Sequence, residues 1–396
     1  MAAIDIQCEL KLKRGEERRL QAGHQWVFSN ELEKVDTAVP AGTLCRVVSE
    51  SGKLAGTGFF NPHSLIAVRL LSRGEEPLDA NFVESRVYAA LRYRQRLGLD
   101  RYARIVYSEG DFLPGLMLDR YGDLVVAEVL TAGMELLKPQ VVDAINKIIQ
   151  PKGILFRNDN AYRKLEGLPG EVEKIGEVPA ESLAAEGSLK YTFSTEGGQK
   201  TGFFYDQRDN RLFLEPYFKD RRVLDLYCYV GGFAIRAAAS GAEAVWGIDS
   251  SAAAIDFATR NAELNGLKDK VSFQREDAER ALAALKNGLL PADPDFIVLD
   301  PPNFVKSRKN MVPAMRLYSR LNETALRGLP RGGMLATATC SHHVQREDFV
   351  DMLKSAAAHS GRNVALVELR GQAKDHPVLI NMPETEYLHF ALLEVR

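Results

Sequence analysis

The chain has 396 residues, 45% of them hydrophobic and 26% charged, with a formal net charge of -2. That length exceeds what one hydrophobic core serves comfortably, so two or three domains are expected, and the composition excludes fibrous and disordered classes. A near-neutral balance excludes a protein that coats nucleic acid indiscriminately, while leaving room for a local basic face on a site-specific enzyme.

The opening MAAIDIQCELKLKRGEERRL carries charge but no apolar stretch of signal length, and no later segment approaches a charge-free membrane span. A cytoplasmic address with no membrane partner is the expectation. Residues 1–76 alternate short apolar runs with turns, as in TLCRVVSESGKLAGTGFFNPHSLIAVRLL, and predict a small strand-rich module closed by RGEEPLD. A helix follows over about 79–97, with Phe82, Val83, Val87, Ala90 and Leu91 near one face and Gly98 as its stop. Beyond it, FLPGLMLDRYGDLVVAEVL predicts two strands around an Asp119–Asp123 turn, LKPQVVDAINKIIQ a helix and GILFRND another strand. These make a second, α+β domain over 77–190. Basic patches are expected at KLKRGEERR, at RVYAALRYRQRLGLDRYAR (86–104) and at KSRK (306–309).

The rhythm changes from about 191. Strand, glycine turn, helix and strand succeed one another through RRVLDLYCYVGGFAIRAAASGAEAVWGIDSSAAAIDFATRNAELNG, and the pattern continues to REDFVDMLKSAAAHS. Repeated strand-helix units with short connections predict an α/β domain over 191–396, a mostly parallel sheet with helices on both faces. The final apolar runs, NVALVELR and YLHFALLEVR, have no long helix between them and predict an antiparallel pair at the sheet's edge.

Four strands of this sheet end near acidic residues: Asp225, Asp249, Asp277 and Asp300. Open parallel sheets bind ligands at that edge, and an acid roughly 20 residues beyond the first strand commonly meets a ribose diol. Gly231 and Gly232 let backbone approach a ligand just before a helix. Neither G-x-G-x-x-G nor a Walker lysine is present, which argues against a ligand recognised by its phosphates. An acidic rim suits hydroxyls, an amine and a cationic centre, the groups of S-adenosylmethionine. Asp249, beside Ser250, is assigned to the ribose, Asp277 to the adenine amine, and Asp225 with the loop around Tyr227, Tyr229 and Gly231 to the amino-acid end. Helix capping is the plain alternative for Asp225, Asp249 and Asp277. Just upstream, Gln207 and Arg208 are further cofactor candidates, with the target base as the alternative partner of Gln207, and Lys200 a phosphate contact.

In DPPNF the two prolines end a strand and hold a rigid loop, so Asp300, Pro301, Pro302, Asn303 and Phe304 face the substrate, with Phe304 a stacking surface for a base. Such a loop also serves enzymes that methylate purine amines, which need no nucleophile of their own. Carbon 5 of cytosine is different, because it reacts only after a thiolate adds to carbon 6. Cys340 ends GGMLATATC, the strand expected beside the one ending at Asp300, and is the candidate nucleophile. Cys228, between Tyr227 and Tyr229, is its competitor, whereas Cys8 and Cys45 read as structural free thiols. His342 and His343 would point apart on a strand and lack partners at metal-ligand spacing, so no metal is expected. Four readings stay open: an RNA cytosine carbon-5 methyltransferase, an RNA purine N-methyltransferase, a small-molecule or protein methyltransferase, and a non-catalytic RNA-binding or ribosome-assembly protein.

GHQWVFSN (23–30), SEGDFLPGLMLDRYGDLVV (108–126), KTGFFYDQRDNR, LDLYCYVGGFA, DPPNF, TCS and DHPVLINMPETEYLHF together resemble the bacterial 23S ribosomal RNA cytosine carbon-5 methyltransferases of the large-subunit methyltransferase I type, RlmI-like, over nearly the whole chain. The resemblance implies an N-terminal PUA RNA-binding domain, β-barrel-like, over 1–76. It also implies a central α+β domain and a class I methyltransferase domain with a seven-stranded, mostly parallel sheet. It further implies S-adenosylmethionine as donor, 23S ribosomal RNA as partner, members that often form homodimers, Cys340 as nucleophile and Asp300 beside the base. Gln25 stands where the family has proline, and Asn303 where lysine is common. Trp26 and Phe28 read as core side chains.

Overall fold

The structure, a computed structural model, describes residues 6–74, 79, 81–196, 202–286, 293–305 and 307–396. The chain separates into two compact units. Met1–Ser182, Ser194–Gly202 and Asp375–Thr385 make the first; Leu183–Phe193, Phe203–Lys374 and Glu386–Arg396 make the second.

The first unit begins with strands β1 (Cys8–Lys11), β2 (Trp26–Phe28), β3 (Thr43–Val48), β4 (Leu54–Phe60) and β5 (Ile66–Ser72), in sheet order β1-β3-β4-β5-β2. A helix, Phe82–Arg96, then leads to β6 (Tyr102–Tyr107), β7 (Leu116–Tyr121), β8 (Leu124–Val129), β9 (Gly153–Asn158) and β10 (Glu171–Gly176), in order β10-β9-β8-β7-β6. The Lys138–Ile148 helix connects β8 to its parallel neighbour β9. Every residue of β8 is buried, Glu128 included, as its otherwise apolar run LVVAEV requires of a strand covered on both faces. The Phe82–Arg96 helix buries the expected stripe of Phe82, Val83, Val87, Ala90 and Leu91, each of the larger ones contributing about 1.5–3 kcal/mol. It starts three residues later than the sequence predicts because Asp79 forms the entering turn, its carbonyl accepting from the Phe82 N–H and its Oδ1 from the Asn81 N–H.

Leu44, Phe59 and Leu71 of the first sheet share one core with Val87, Leu91, Ile105, Leu118, Val125 and Phe156. That shared core is why the strand-rich module and the α+β module cluster as one unit. Three sequence expectations need correction here. Asp119 is not in a turn: it is a fully buried residue of β7, paired with Arg104 at 2.6 Å, and the turn falls at Gly122, whose φ is +65°. Two arginines of the 86–104 patch are likewise internal, Arg104 through that pair and Arg94 through a buried pair with Asp111. Trp26 and Phe28 are half-buried and not core residues, lying under the guanidinium groups of Arg69 and Arg19 at 5.1 and 4.7 Å. Cys45 is buried core, its thiol donating to the Gly58 carbonyl at 3.4 Å.

The hairpin β11 (Glu181–Glu186) and β12 (Leu189–Ser194) precedes the second sheet. That sheet comprises β13 (Arg222–Leu226), β14 (Ala244–Asp249), β15 (Val271–Arg275), β16 (Phe296–Leu299), β17 (Met334–Thr339), β18 (Val364–Arg370) and β19 (His389–Val395). Its order is β15-β14-β13-β16-β17-β19-β18, parallel from β15 to β17 and antiparallel at β17–β19 and β19–β18. The helices Gly232–Ala239, Ala252–Leu264, Ala278–Lys286 and Met311–Gly328 make the crossovers. Among the described residues no helix is long and apolar enough to cross a membrane.

Candidate active site

Register brings the strand ends together. Leu226 is opposite Leu299, and Leu299 is opposite Thr337, so the residues following β13, β16 and β17 leave the sheet at one edge. Asp300 and Cys340 therefore emerge from neighbouring strands, and Asp225 sits one strand away.

After β13 the chain turns sharply, with φ of +62° at Tyr227, +49° at Tyr229 and +88° at Gly231. Two bulky residues in the left-handed region are costly, and such outliers persist where the surroundings dictate them. Two anchors do so here: the Tyr229 N–H donates to Asp249 Oδ2 at 3.1 Å, and Asn261 Nδ2 donates to the Val230 carbonyl at 3.1 Å. Asp249 Oδ1 also accepts from the Ser251 N–H at 2.9 Å, so its carboxylate is fixed at the end of β14 while remaining half-exposed. Ser250 is exposed beside it. Asp277 caps the Ala278–Lys286 helix, Oδ1 accepting from the N–H groups of Glu279 and Arg280 at 2.9 and 3.1 Å.

Asp225 is buried. Its Oδ2 accepts from the Ala234 N–H at 2.9 Å, and its Oδ1 has no hydrogen-bond partner. Burial pushes this carboxyl well above the usual range, and the nearby Asp300 and Asp249 push it further. A buried acid with an unsatisfied oxygen at a helix N-terminus is short of a donor, and the cationic amino-acid end of S-adenosylmethionine is one that would satisfy and re-ionise it. The residues present therefore fit this cofactor.

The DPPNF loop is tied down by Tyr318, whose hydroxyl donates to the Pro302 carbonyl and accepts from the Phe304 N–H, both at 3.2 Å. Asn303 Oδ1 accepts from the Val305 N–H at 2.8 Å, a turn within the loop. Pro301 is buried and Pro302 exposed. Phe304 is half-buried between Tyr227 and Tyr318, with ring centroids at 6.5 and 4.9 Å. Burial, helped by Cys340 and Asp300, pushes the Tyr318 phenol up to about 12, so it stays neutral.

Gln207 meets Asp300 directly. Its Nε2 donates to Asp300 Oδ1 at 3.0 Å, while its Oε1 accepts from Asn210 Nδ2 at 2.7 Å and Asn210 Oδ1 accepts from Arg370 Nε at 3.1 Å. This relay aims the Asp300 carboxylate. Arg208 is buried, stacked over Tyr205 at 4.6 Å and 3.8 Å from Glu186. Glu186, on the hairpin, also binds Arg211 through both carboxylate oxygens and lies 3.3 Å from Arg236. Sequence reasoning missed Glu186 and Asn261. The signal for Asn261 was a polar residue on the apolar face of its helix; Glu186 offered none, because its partners lie 22 to 50 positions away. Lys200 lies outside the described residues.

The two candidate thiols differ. Cys228 is 5% exposed, and burial, with Asp225 and Asp249 adding to it, pushes its thiol well above the ordinary value. A thiol so raised is a poor nucleophile. Cys340 is half-exposed at the mouth of β17. His342 packs its ring 5.0 Å from Tyr387. Among the described residues no group of three or more His, Cys, Asp or Glu side chains is placed to hold a metal ion.

A parallel sheet with acids at successive strand ends and a strained glycine loop define a class I S-adenosylmethionine-dependent methyltransferase. The family profile of that description matches residues 154–375, and a PUA-like domain profile matches residues 10–73. The ribosomal RNA large subunit methyltransferase I of Klebsiella pneumoniae (strain 342) is 35% identical over 96% of each chain, and that of Tolumonas auensis 36% identical over 95% of this chain and 96% of its own. The chain belongs to the ribosomal RNA large subunit methyltransferase I family, with S-adenosylmethionine as methyl donor. In fold it resembles a methyltransferase of Streptococcus mutans (TM-score 0.84, 19% identity, 98% of this chain and 100% of that one). It also resembles a methyltransferase crystallised with S-adenosylhomocysteine (TM-score 0.85, 20% identity, the same coverage).

Proposed function

We propose that the protein methylates carbon 5 of a cytosine in large-subunit ribosomal RNA, the 23S molecule, through a covalent adduct with Cys340. The observation that supports this most is the delivery of Cys340 and Asp300 by adjacent parallel strands to the edge that carries the cofactor acids. S-adenosylmethionine, when bound, supplies the methyl group. Asp225, Asp249, Ser250 and Asp277 with the Tyr227–Gly231 loop are the residues that would hold it. Arg208 contributes indirectly, through the buried cluster packed against this region.

The Cys340 thiolate forms a bond to carbon 6 of the ring, and the displaced electron pair makes carbon 5 nucleophilic. Carbon 5 then takes the methyl group. Loss of the carbon 5 proton to a base returns the pair, the carbon–sulfur bond breaks, and the thiolate is restored. Asp300, aimed by Gln207, holds the pyrimidine's polar edge. Pro301, Pro302, Asn303 and Phe304 shape the wall against which the base lies, and Lys200 is assigned to the RNA backbone. Domain limits at 76 and 190, a homodimeric assembly and a cytoplasmic location complete the reading.

Two variants test the cofactor half. Asp249→Ala loses the carboxylate assigned to the ribose, and hydrogen bonds to charged groups contribute about 1.5–3 kcal/mol. Calorimetric titration should therefore show S-adenosylmethionine binding weakened by roughly 10- to 100-fold; unchanged affinity would remove Asp249 from the site. Gln207→Ala should lower kcat by about 10-fold or more while leaving cofactor affinity intact, because it acts through the orientation of Asp300. A change confined to cofactor binding would instead assign Gln207 to the cofactor. The function as a whole is tested by mapping ribosomal RNA methylation in cells lacking the protein: the missing mark should be 5-methylcytosine, and a missing purine mark would overturn the reading.

A further inference from the structure

The first unit holds a cavity of about 300 Å³, lined by Gln25, the β5 end from Leu70 to Gly74, Arg86 and Phe112. Cavities that bind small ligands begin at this size. Three features of its wall point to one kind of occupant.

Phe112 closes the short turn Ser108–Asp111, and its N–H donates to the Glu109 carbonyl. Its φ is +59°, the left-handed position where glycine is the default, yet the residue is phenylalanine and its ring stays 37% exposed. The backbone conformation therefore gives no reason for this side chain. The Arg86 guanidinium lies over this ring at 5.4 Å, so the wall carries an aromatic and a cationic group side by side. Gln25, 3% exposed, lines the same cavity. Its Nε2 is committed to the Glu109 carbonyl at 3.1 Å, which leaves Oε1 buried without a hydrogen-bond partner. Arg73, exposed at the rim, donates to the Gly23 carbonyl at 2.7 Å and carries a second positive charge. Among the described residues, none of those lining the cavity is a carboxylate.

We propose that this cavity captures one unpaired nucleotide of the RNA substrate, at a second binding point separate from the methyl-transfer edge. The base stacks on Phe112 and Arg86, an exocyclic amine donates toward Gln25 Oε1, and the neighbouring phosphate pairs with Arg73. Planarity, a missing donor and a cationic rim are what a splayed-out base with its backbone would complement. The proposal rests on RNA being the substrate.

The test is equilibrium binding of a fluorescein-labelled single-stranded RNA, and of the same strand annealed to its complement, to the full-length protein. Phe112→Gly removes the ring while supplying the residue that φ favours, so its melting temperature should not fall. Its affinity for the single strand should drop by about 5-fold or more, the scale of one lost stack. Arg73→Ala should weaken binding too and lower the slope of log affinity against log salt by about 0.7, the share of one phosphate. S-adenosylmethionine affinity should not change in either variant. Single-strand binding at wild-type strength in both folded variants overturns the proposal, as does a loss confined to the duplex. If wild type still forms a Cys340 adduct with RNA in that case, the methyltransferase reading stands and only the second site falls. If wild type neither binds nor reacts with RNA, both fall.

Discussion

Mixed with S-adenosylmethionine and RNA that carries 5-fluorocytosine at its target, the wild-type protein is expected to become covalently joined to the RNA, and Cys340→Ala to remain unattached. Fluorine leaves no removable proton on carbon 5, so the cycle stops after methyl transfer with the carbon–sulfur bond intact. With unmodified RNA, Cys340→Ala should lose at least about 10³-fold in methyl transfer, the scale on which removal of an attacking side chain acts when binding is preserved. Cys228→Ala serves as the contrast. That thiol is held in its neutral form by burial beside Asp225 and Asp249, so its variant should still form the adduct. Denaturing gel electrophoresis reads the outcome directly. An adduct that survives Cys340→Ala, or that disappears only in Cys228→Ala, would reassign the nucleophile. Methylation of unmodified RNA that is undiminished in Cys340→Ala would favour a nitrogen acceptor, whose lone pair needs no help from sulfur.

The second large effect concerns Glu186. Three guanidinium groups, those of Arg208, Arg211 and Arg236, converge on this one buried carboxylate, and Arg236 also reaches Glu215 at 2.9 Å. Burial alone would push the Glu186 carboxyl up, but the attraction of Arg211, Arg208 and Arg236 outweighs it and holds the group below the usual carboxylate range. Glu186→Gln keeps the shape and removes the charge. Uncompensated buried charges of this kind cost about 3–5 kcal/mol, so the second unit should unfold at distinctly lower urea concentration. Trp26 and Trp246 are the only tryptophans and fall in different units, so Trp26→Phe leaves Trp246 as the fluorescence reporter. The pH dependence has a definite sign. A carboxyl depressed on folding contributes fully above its unfolded pKa, and the contribution fades as pH falls through the lower folded value. The wild type should lose part of its margin over the variant in acid, and a constant margin down to the most acidic conditions would remove Glu186 from this role.

Arg211 links that cluster to the cofactor region. It lies over Phe203 and Phe233 at 4.7 and 5.6 Å, and a Cβ placed on Gly232 would come within 3.4 Å of its guanidinium. The hairpin that carries Glu186 thus supports the first turn of the helix whose Ala234 N–H holds Asp225. No motif encodes such support, because it depends on where a distant carboxylate arrives in space. The parts legible from sequence were those governed by local rules. Strand-helix alternation after residue 191 announced the parallel sheet, a missing helix announced the antiparallel pair β18 and β19, and DPPNF with GGMLATATC placed Asp300 and Cys340 on neighbouring strands. Where side chains compete for partners, local reading was weaker. Gln207, grouped by its place in the sequence with the cofactor or the target base, bonds to Asp300, a partner that no local pattern names. Asp119 looked like a turn former until Arg104 became available to neutralise it inside the sheet. The fusion of the first two modules into one unit rests on Leu44, Phe59 and Leu71, whose alternation marks them as core without saying whose core.

The position of β19 has a consequence for biosynthesis. It separates β17 from β18, although both are translated before it. A nascent chain that has released β18 but not yet β19 therefore exposes the flank of β17, an apolar ribbon with open backbone groups and Cys340 just beyond it, to any competing strand. Pairing of β17 along that flank is completed only once the later strand has closed the gap.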